Sequence, residues 1–228
     1  MSFDVSAFAK TMKLALADFH SVGNEVVDLD EQWIARLSDF NAKSLSGDAE
    51  KLAFWINLYN GLTNYQIVKN QLKETVWELP GFFSNRNFQV GEFPMSLDDI
   101  EHGILRKNGP RKNDKPSQFQ DEDPRCELML ERMDPRIHFA LNCGALSCPP
   151  IAFYSAKNID QELALAEANF ASQEFMVDHE TRTIHCSEIF VWYRSDFENQ
   201  YLDDPALVAF QVEPIPYCWA IGFENNDT

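Results

Sequence analysis

Apolar residues recur along the first third of the chain with helical periodicity. Val5, Phe8, Met12, Ala15, Leu16 and Phe19 fall on one helical face. A second helix is expected from Asp30 to about Ala42, with Ile34, Leu37 and Asn41 on one side. Ser46-Gly47-Asp48 then supplies a break and a new start. From Glu50 to about Asn70 a third helix carries Leu52, Phe54, Trp55, Ile56, Leu58, Tyr59, Leu62, Tyr65, Ile67 and Val68, nearly all the way round. A helix with that pattern is central and buried. Asn57, Asn60 and Asn64 interrupt it as a single polar stripe. A buried carboxamide left unpaired costs about 1–3 kcal/mol. The stripe must therefore meet partners, either backbone groups of a loop tied to the helix or a wet cavity.

Past Pro80 the pattern turns irregular. Phe82-Phe83 and Phe88-Gln89-Val90 read as short strands around the turn Ser84 to Asn87. Ser96 is placed to cap a helix with Asp98 and Asp99 in its first turn, running to about Lys107 and stopped by Asn108-Gly109-Pro110. Positions 107–124 form the longest loop. Ile137 to Leu141 reads as a strand, followed by a structured loop from Asn142 to Pro150. A helix is expected over Ile159 to about Gln173, with Leu163, Ala166 and Phe170 inward. Thr181 to His185 is a short strand, and Glu188 to Phe197 an aromatic helix or turn. Val208 to Val212 and Cys218 to Phe223 add strands. The expected class is α+β, a helix-rich single domain over residues 1–228 around a small, mainly antiparallel sheet.

Composition narrows the function classes. The chain has 228 residues, 45% hydrophobic and 13% aromatic, enough for a sizeable core and against global disorder. Its formal charge is −17, which repels phosphate backbones and argues against nucleic acid as a partner. The one basic cluster, Arg106, Lys107, Arg111, Lys112 and Lys115, is followed at once by Asp121, Glu122 and Asp123 and reads as a solvated loop. The acidity favours a non-anionic or cationic partner. No apolar run approaches the ~20 residues of a membrane span, and Met1 to Lys13 lacks the pattern of a signal peptide. The five cysteines, Cys126, Cys143, Cys148, Cys186 and Cys218, are odd in number and irregularly spaced. Free thiols in a reducing, cytoplasmic compartment are expected rather than a disulfide framework.

The candidate chemistry gathers around Cys143. It follows an apolar segment at a turn that Gly144 allows to be tight. The N–H groups of Gly144 and Ala145 could converge there on an anion, lowering a thiol pKa or holding an oxyanion. The opposing reading is a buried, inert thiol. A nucleophilic thiol needs a base. His138 lies five residues before Cys143, but strand alternation puts it on the opposite face. His102 shares a helical face with Asp98 and adjoins Glu101, an arrangement in which a carboxylate orients an imidazole. Each histidine also has a plain structural reading, and His20, His179 and His185 have no such context. Cys143, Cys148, His102, His138 and Glu101 include acceptable zinc ligands, but neither HExxH nor CxxC occurs. No metal or other cofactor is expected, and phosphate-binding, Rossmann and GxSxG motifs do not occur.

Four motifs in this region, in order, resemble one family. They are Phe54-Trp55-Ile56-Asn57-Leu58-Tyr59-Asn60, then Ile100-Glu101-His102-Gly103-Ile104-Leu105-Arg106, then Asp134 to Ala145, and last Ile189-Phe190-Val191-Trp192-Tyr193 with Asp196-Phe197. The chain is similar over about residues 50–200 to the family catalogued as domain of unknown function 547, with residues 1–45 as a helical extension. The resemblance implies no established activity. Plant members often carry Ser where Cys148 stands, which argues against a Cys143–Cys148 metal or redox pair and implies that Cys143 is the better functional thiol.

The leading expectation is a thiol-dependent hydrolase or acyltransferase acting on a small-molecule or peptide substrate. Cys143 is the nucleophile and His102 the favoured base, with His138 second. Glu101 or Asp98 orients the imidazole. Asn57, Asn60, Asn142 and Gly144 supply pocket donors. The alternative is a non-enzymatic interaction domain for partner proteins, in which the same residues are buried structural networks.

Overall fold

The long apolar segment forms the centre of the molecule. In the computed structural model, which describes residues 3–21, 27–110 and 116–222, the helices are α1 (Val5–Ser21), α2 (Gln32–Leu37), α3 (Gly47–Lys69), α4 (Ile159–Glu174) and α5 (Glu188–Trp192). Every residue of α3 from Leu52 to Val68 is buried. Its first turn holds Asp48 and Glu50, whose charges suit the N-terminal dipole. Helix α1 lies along α3 with Phe8, Ala9, Met12, Leu16 and Phe19 inward. Gly61 permits that closeness: a Cβ there would stand 2.6 Å from the Phe8 ring.

The architecture is α+β, about 47% helix and 10% strand. Strands β1 (Phe88–Val90) and β2 (Phe93–Met95) form an antiparallel hairpin. Strands β3 (Phe175–Asp178), β4 (Thr183–Ser187) and β5 (Gln211–Ile215) form a second sheet. In it β3 and β4 pair antiparallel, and β4 and β5 pair parallel. Pro214 sits in β5, an edge strand where a missing N–H is tolerated. The hydrophobic interior has two parts. One surrounds α3, and the other joins Phe139, Phe170, Ile184, Ile189, Phe190 and Phe197. No described helix is long and apolar enough to cross a membrane.

Several expected elements differ. The second helix is only Gln32–Leu37, followed by a 3₁₀ turn at Ala42–Ser44. Ser38 Oγ donates to the Ala35 carbonyl at 2.6 Å, and the Asn41 side chain accepts from Lys43 N. Such local bonds compete with helix continuation. Phe82 and Phe83 lie in a turn closed by Gly81, not in a strand, and β1 pairs with β2 instead. The expected strand Ile137 to Leu141 is a 3₁₀ helix, Pro135–Phe139. Asp134 caps it and Pro135 occupies its first turn, a combination that starts helical structure. The alternation argument that set His138 opposite Cys143 therefore does not apply. Strand β4 starts two residues later than expected, after the positive-φ Arg182. Val208 lies in a turn before β5. Of Cys218 to Phe223, Ala220 makes one bridge to Thr75, and Phe223 lies outside the described residues.

Asn57 shows what the polar stripe does. Its Nδ2 donates to the Tyr154 carbonyl at 2.7 Å, and its Oδ1 accepts from Tyr154 N at 3.1 Å. Asn64 is equally buried, but neither end of its amide has a hydrogen-bond partner among the described residues. Asn57→Ala is expected to lower stability by at least about 2 kcal/mol, because it strands two buried backbone groups. Asn64→Leu, which keeps the branching and removes two unpaired polar ends, is expected to cost less than Asn57→Ala. Equal losses in urea melts of the two variants would refute this division of the stripe.

Candidate functional site

The loop from Asn142 to Pro150 hangs from α3 by a second carboxamide. Asn60 Nδ2 donates to the Ala140 carbonyl at 3.0 Å, and Asn60 Oδ1 accepts from Asn142 N at 2.8 Å. Asn142 then folds the loop on itself, with Nδ2 donating to the Pro149 carbonyl and Oδ1 accepting from Gly144 N. Gly144 has φ +88°, and a Cβ there would lie 2.6 Å from Ile67 of α3. Both facts demand glycine. The far side of the loop is tied to the C-terminal segment, where Leu146 N donates to the Ala220 carbonyl and Cys218 N to Ser147 Oγ.

This curvature brings two half-buried thiols together. Cys143 Sγ and Cys148 Sγ lie 2.6 Å apart. The Tyr217 hydroxyl stands 3.1 Å from the first and 3.0 Å from the second. Cys143 N donates to Cys148 Sγ at 3.0 Å. Burial pushes the Cys148 thiol up, but donors from the Cys143 thiol, Tyr217 and the N–H groups of Ala145 and Cys143 outweigh it and lower it overall. Cys143 moves the opposite way, raised first by its hydrogen bond to Cys148 and then by burial. Of the two thiols, Cys148 therefore gives up its proton the more readily. Burial and the two sulfurs raise Tyr217 well above its ordinary value, so it remains a donor.

A second group of ionisable residues comes from a π-helix, Asp99–Leu105, closed by the bond from Arg106 N to the Glu101 carbonyl. Its entry is fixed by Ser96 Oγ accepting from Asp99 N and Asp99 Oδ2 accepting from Ser96 N. π-Helical turns place side chains that an α-helix would separate, and they recur at functional sites. Glu101 accepts from the Tyr59 hydroxyl at 3.1 Å and the Tyr193 hydroxyl at 2.5 Å. Burial pushes its carboxyl up, but His102, the Tyr193 hydroxyl, His138 and Arg106 together hold it below the ordinary value. His102 Nδ1 lies 3.8 Å from Glu101 and 3.2 Å from Arg106, and its Nε2 lies 3.9 Å from Asp98. Arg106, expected in a solvated loop, is instead buried and grips Asp196 through Nε at 2.7 Å and Nη2 at 3.0 Å. Arg111, Lys112 and Lys115 lie outside the described residues. His138 Nε2 donates to Asp196 at 2.8 Å, and its ring stacks 3.8 Å over Tyr193.

Both groups line one cavity of about 350 Å³. Cys143, Cys148 and Tyr217 line it, as do Glu101, His102 and His138. The rest of the wall is apolar and largely aromatic, including Trp77, Phe83, Trp192 and Trp219. The structure thus gathers Cys143, His102, His138 and Glu101 on one space. Among the described residues, neither thiol hydrogen-bonds a histidine. Asn57 and Asn60 bind loop backbone rather than the cavity, while Asn142 and Gly144 line a smaller pocket on the other side of Cys148. No group of three or more His, Cys, Asp or Glu side chains is placed to hold a metal among the described residues.

Sequence reasoning missed several participants. Cys148 is set aside by the family resemblance both as a metal ligand and as a redox partner of Cys143, and the structure places it beside Cys143. Tyr59, Tyr193 and Asp196 sit inside the motifs quoted above, and that membership was the available signal. Tyr217 had no local signal.

The family model described as protein of unknown function, DUF547, matches residues 42–171. The chain belongs to that family. The match covers α3, the π-helix, the thiol loop and most of α4. Tyr193, Asp196 and Tyr217 lie beyond it. No curated protein and no solved structure matches the chain.

The buried imidazole has a consequence for acid stability. Burial holds His138 below its ordinary value, with Asp196 opposing. The unfolded chain takes up that proton near pH 6.5, while the folded chain resists it. This contribution is therefore full above about pH 6.5 and is lost as pH falls below it. His20 adds in the same sense through partial burial. Asp196, held down at about 2 against its burial by His138 and Arg106, adds a further loss as pH falls from about 4 towards 2. Melting temperature is expected to be flat from pH 8 to 7 and to fall from pH 6.5 to 5, with a smaller fall in His138→Gln. An unchanged pH slope in that variant would sink the assignment.

Proposed function

We propose that the chain is a thiol-dependent acyl-transfer enzyme, a hydrolase or acyltransferase, acting on a substrate with an apolar acyl or aryl group. The observation that carries this reading is the shared cavity. A thiol pair, in which Cys148 is the readier to lose its proton, and the Glu101 and His102 side chains line the same apolar space, so a bound substrate can touch both. The Cys148 thiolate attacks the acyl carbonyl, with Tyr217 and the Ala145 N–H as donors to the developing charge. Collapse of the adduct forms a thioester and expels the leaving group, which takes a proton from His102. An acceptor, either water or another nucleophile, then gives its proton to His102 and attacks the thioester, freeing the Cys148 thiolate. Glu101, ionised and held by Tyr59 and Tyr193, offsets the Arg106 charge beside His102 when the imidazole carries that proton. Cys143, favoured from sequence, serves in this reading as the thiol that stabilises Cys148.

The test uses p-nitrophenyl butyrate and intact-protein mass spectrometry. One butyryl group is expected on Cys148, with a burst of p-nitrophenol. His102→Ala is expected to slow turnover by about 10²–10⁴-fold while the adduct persists. Absence of any adduct at Cys148 or Cys143, or labelling that Cys148→Ala and Cys143→Ala leave unchanged, would remove the basis for an acyl-transfer enzyme.

A further inference from the structure

The contact between the two sulfurs supports an activity that acyl transfer does not need. A nucleophilic thiol requires a base and an oxyanion donor, yet here the nearest side-chain neighbour of each sulfur is the other sulfur, at 2.6 Å. The loop is held in that curve by Asn60, by the Asn142 amide and by the positive-φ Gly144. Pairing of the thiols is thus a property of the folded loop rather than a chance of side-chain rotation. Two sulfurs held side by side in one loop can bond without rearrangement of the fold. Both thiols line the aromatic cavity and can be reached by a ligand within it.

We infer that Cys143 and Cys148 are a thiol–disulfide exchange pair for small, uncharged, aromatic or apolar organic disulfides. In the first step the Cys148 thiolate attacks one sulfur of R–S–S–R. That S–S bond breaks, a mixed Cys148–S–S–R bond forms, and the first RS⁻ leaves. In the second step Cys143 gives up its proton, and its thiolate attacks the Cys148 sulfur and expels the second RS⁻. The two leaving thiolates take up protons from the medium. The dithiol is oxidised by two electrons to an internal disulfide, and R–S–S–R is reduced to two RSH. The roles differ by position. Cys148 attacks first because the Cys143 N–H donates to its sulfur. Cys143 resolves, and its contact makes the second step intramolecular and fast.

The ligand class follows from the wall. Trp77, Phe83, Trp192 and Trp219 offer flat apolar faces, which suit an aromatic substituent. The ionised Glu101 in the same cavity and a chain charge of −17 disfavour an anionic disulfide. Two of the other described thiols provide internal controls: Cys186 is buried and its pKa is pushed up to about 11, and Cys218 is exposed.

The activity rests on the sulfur contact and not on the acyl-transfer reading, and its test keeps the two apart. The reduced protein is mixed with 4,4′-dithiodipyridine, and thiopyridone release and peptide mass maps are followed. The expected result is rapid release of two equivalents with a Cys143–Cys148 link and no retained pyridyl group at either residue. Cys143→Ser is expected to release one equivalent and trap the mixed disulfide on Cys148. Cys148→Ser is expected to react at Cys143 at least 10-fold more slowly. The dianionic 5,5′-dithiobis(2-nitrobenzoate) is expected to react at the pair at least 10-fold more slowly than the neutral reagent. Phenylarsine oxide, which bridges paired thiols, is expected to block the reaction in the unaltered protein, a readout independent of any variant's folding. A stable pyridyl adduct in the unaltered protein, or a rate at the pair no greater than at Cys218, would overturn the exchange role. Faster reaction with the dianionic reagent would overturn the ligand class. Disulfide formation without butyrylation would leave exchange standing and remove acyl transfer, and butyrylation without the internal link would do the reverse.

Discussion

The structure depends on carboxamides buried along one helix. Asn57 and Asn60 each face backbone that has left regular structure, and each satisfies one N–H and one C=O of it. Backbone groups buried without partners would cost about 1–3 kcal/mol each. The amides therefore allow an irregular loop to pack against the most apolar helix of the chain. Without that clamp, residues 140–154 would need solvent, and the thiol loop could not lie over the core.

The clamp also explains why the site is stiff on one side and ionic on the other. Asn60 and Gly144 fix the thiol loop against Ile67 and the C-terminal segment. The opposite charges of the π-helix and the α5 region are fixed by Arg106, which bridges His102 and Asp196. Tyr193 links the two networks: its hydroxyl donates to Glu101 and its ring carries His138. Burying these charges is tolerable because each carboxylate receives at least two donors. The cavity lies between the two apolar clusters, where Tyr59 and Leu141 belong to one and Ile189 to the other. Clefts at such seams are where ligand sites commonly form.

Much of the helical framework could be read from residue pattern. The α1 face, the all-round burial of α3 and the span of α4 follow from helical periodicity, because side chains three or four apart share a face whatever the rest of the chain does. Ser96 and its carboxylates marked a helix start for the same local reason. Short elements were less legible. Ile137 to Leu141 alternates like a strand, but it found no strand partner and the Asp134-Pro135 start turned it into a 3₁₀ helix. The π-helical closure after Glu101 has no sequence rule, since it depends on where Arg106 finds Asp196.

The candidate site divides along the same line. Sequence alone determined which residue types carry reactivity: the thiol after a turn, the His102 and Glu101 neighbours, and an asparagine stripe that had to be satisfied. These are properties of side-chain chemistry and spacing within one element. Only the tertiary structure decided that Cys143 meets Cys148, that the Tyr217 hydroxyl stands beside both sulfurs, and that His138 is committed to Asp196. Those contacts join residues as far apart as 74 positions. No local periodicity reports on such pairs, because they form only when loop closure brings distant segments together and burial makes their polar groups find one another.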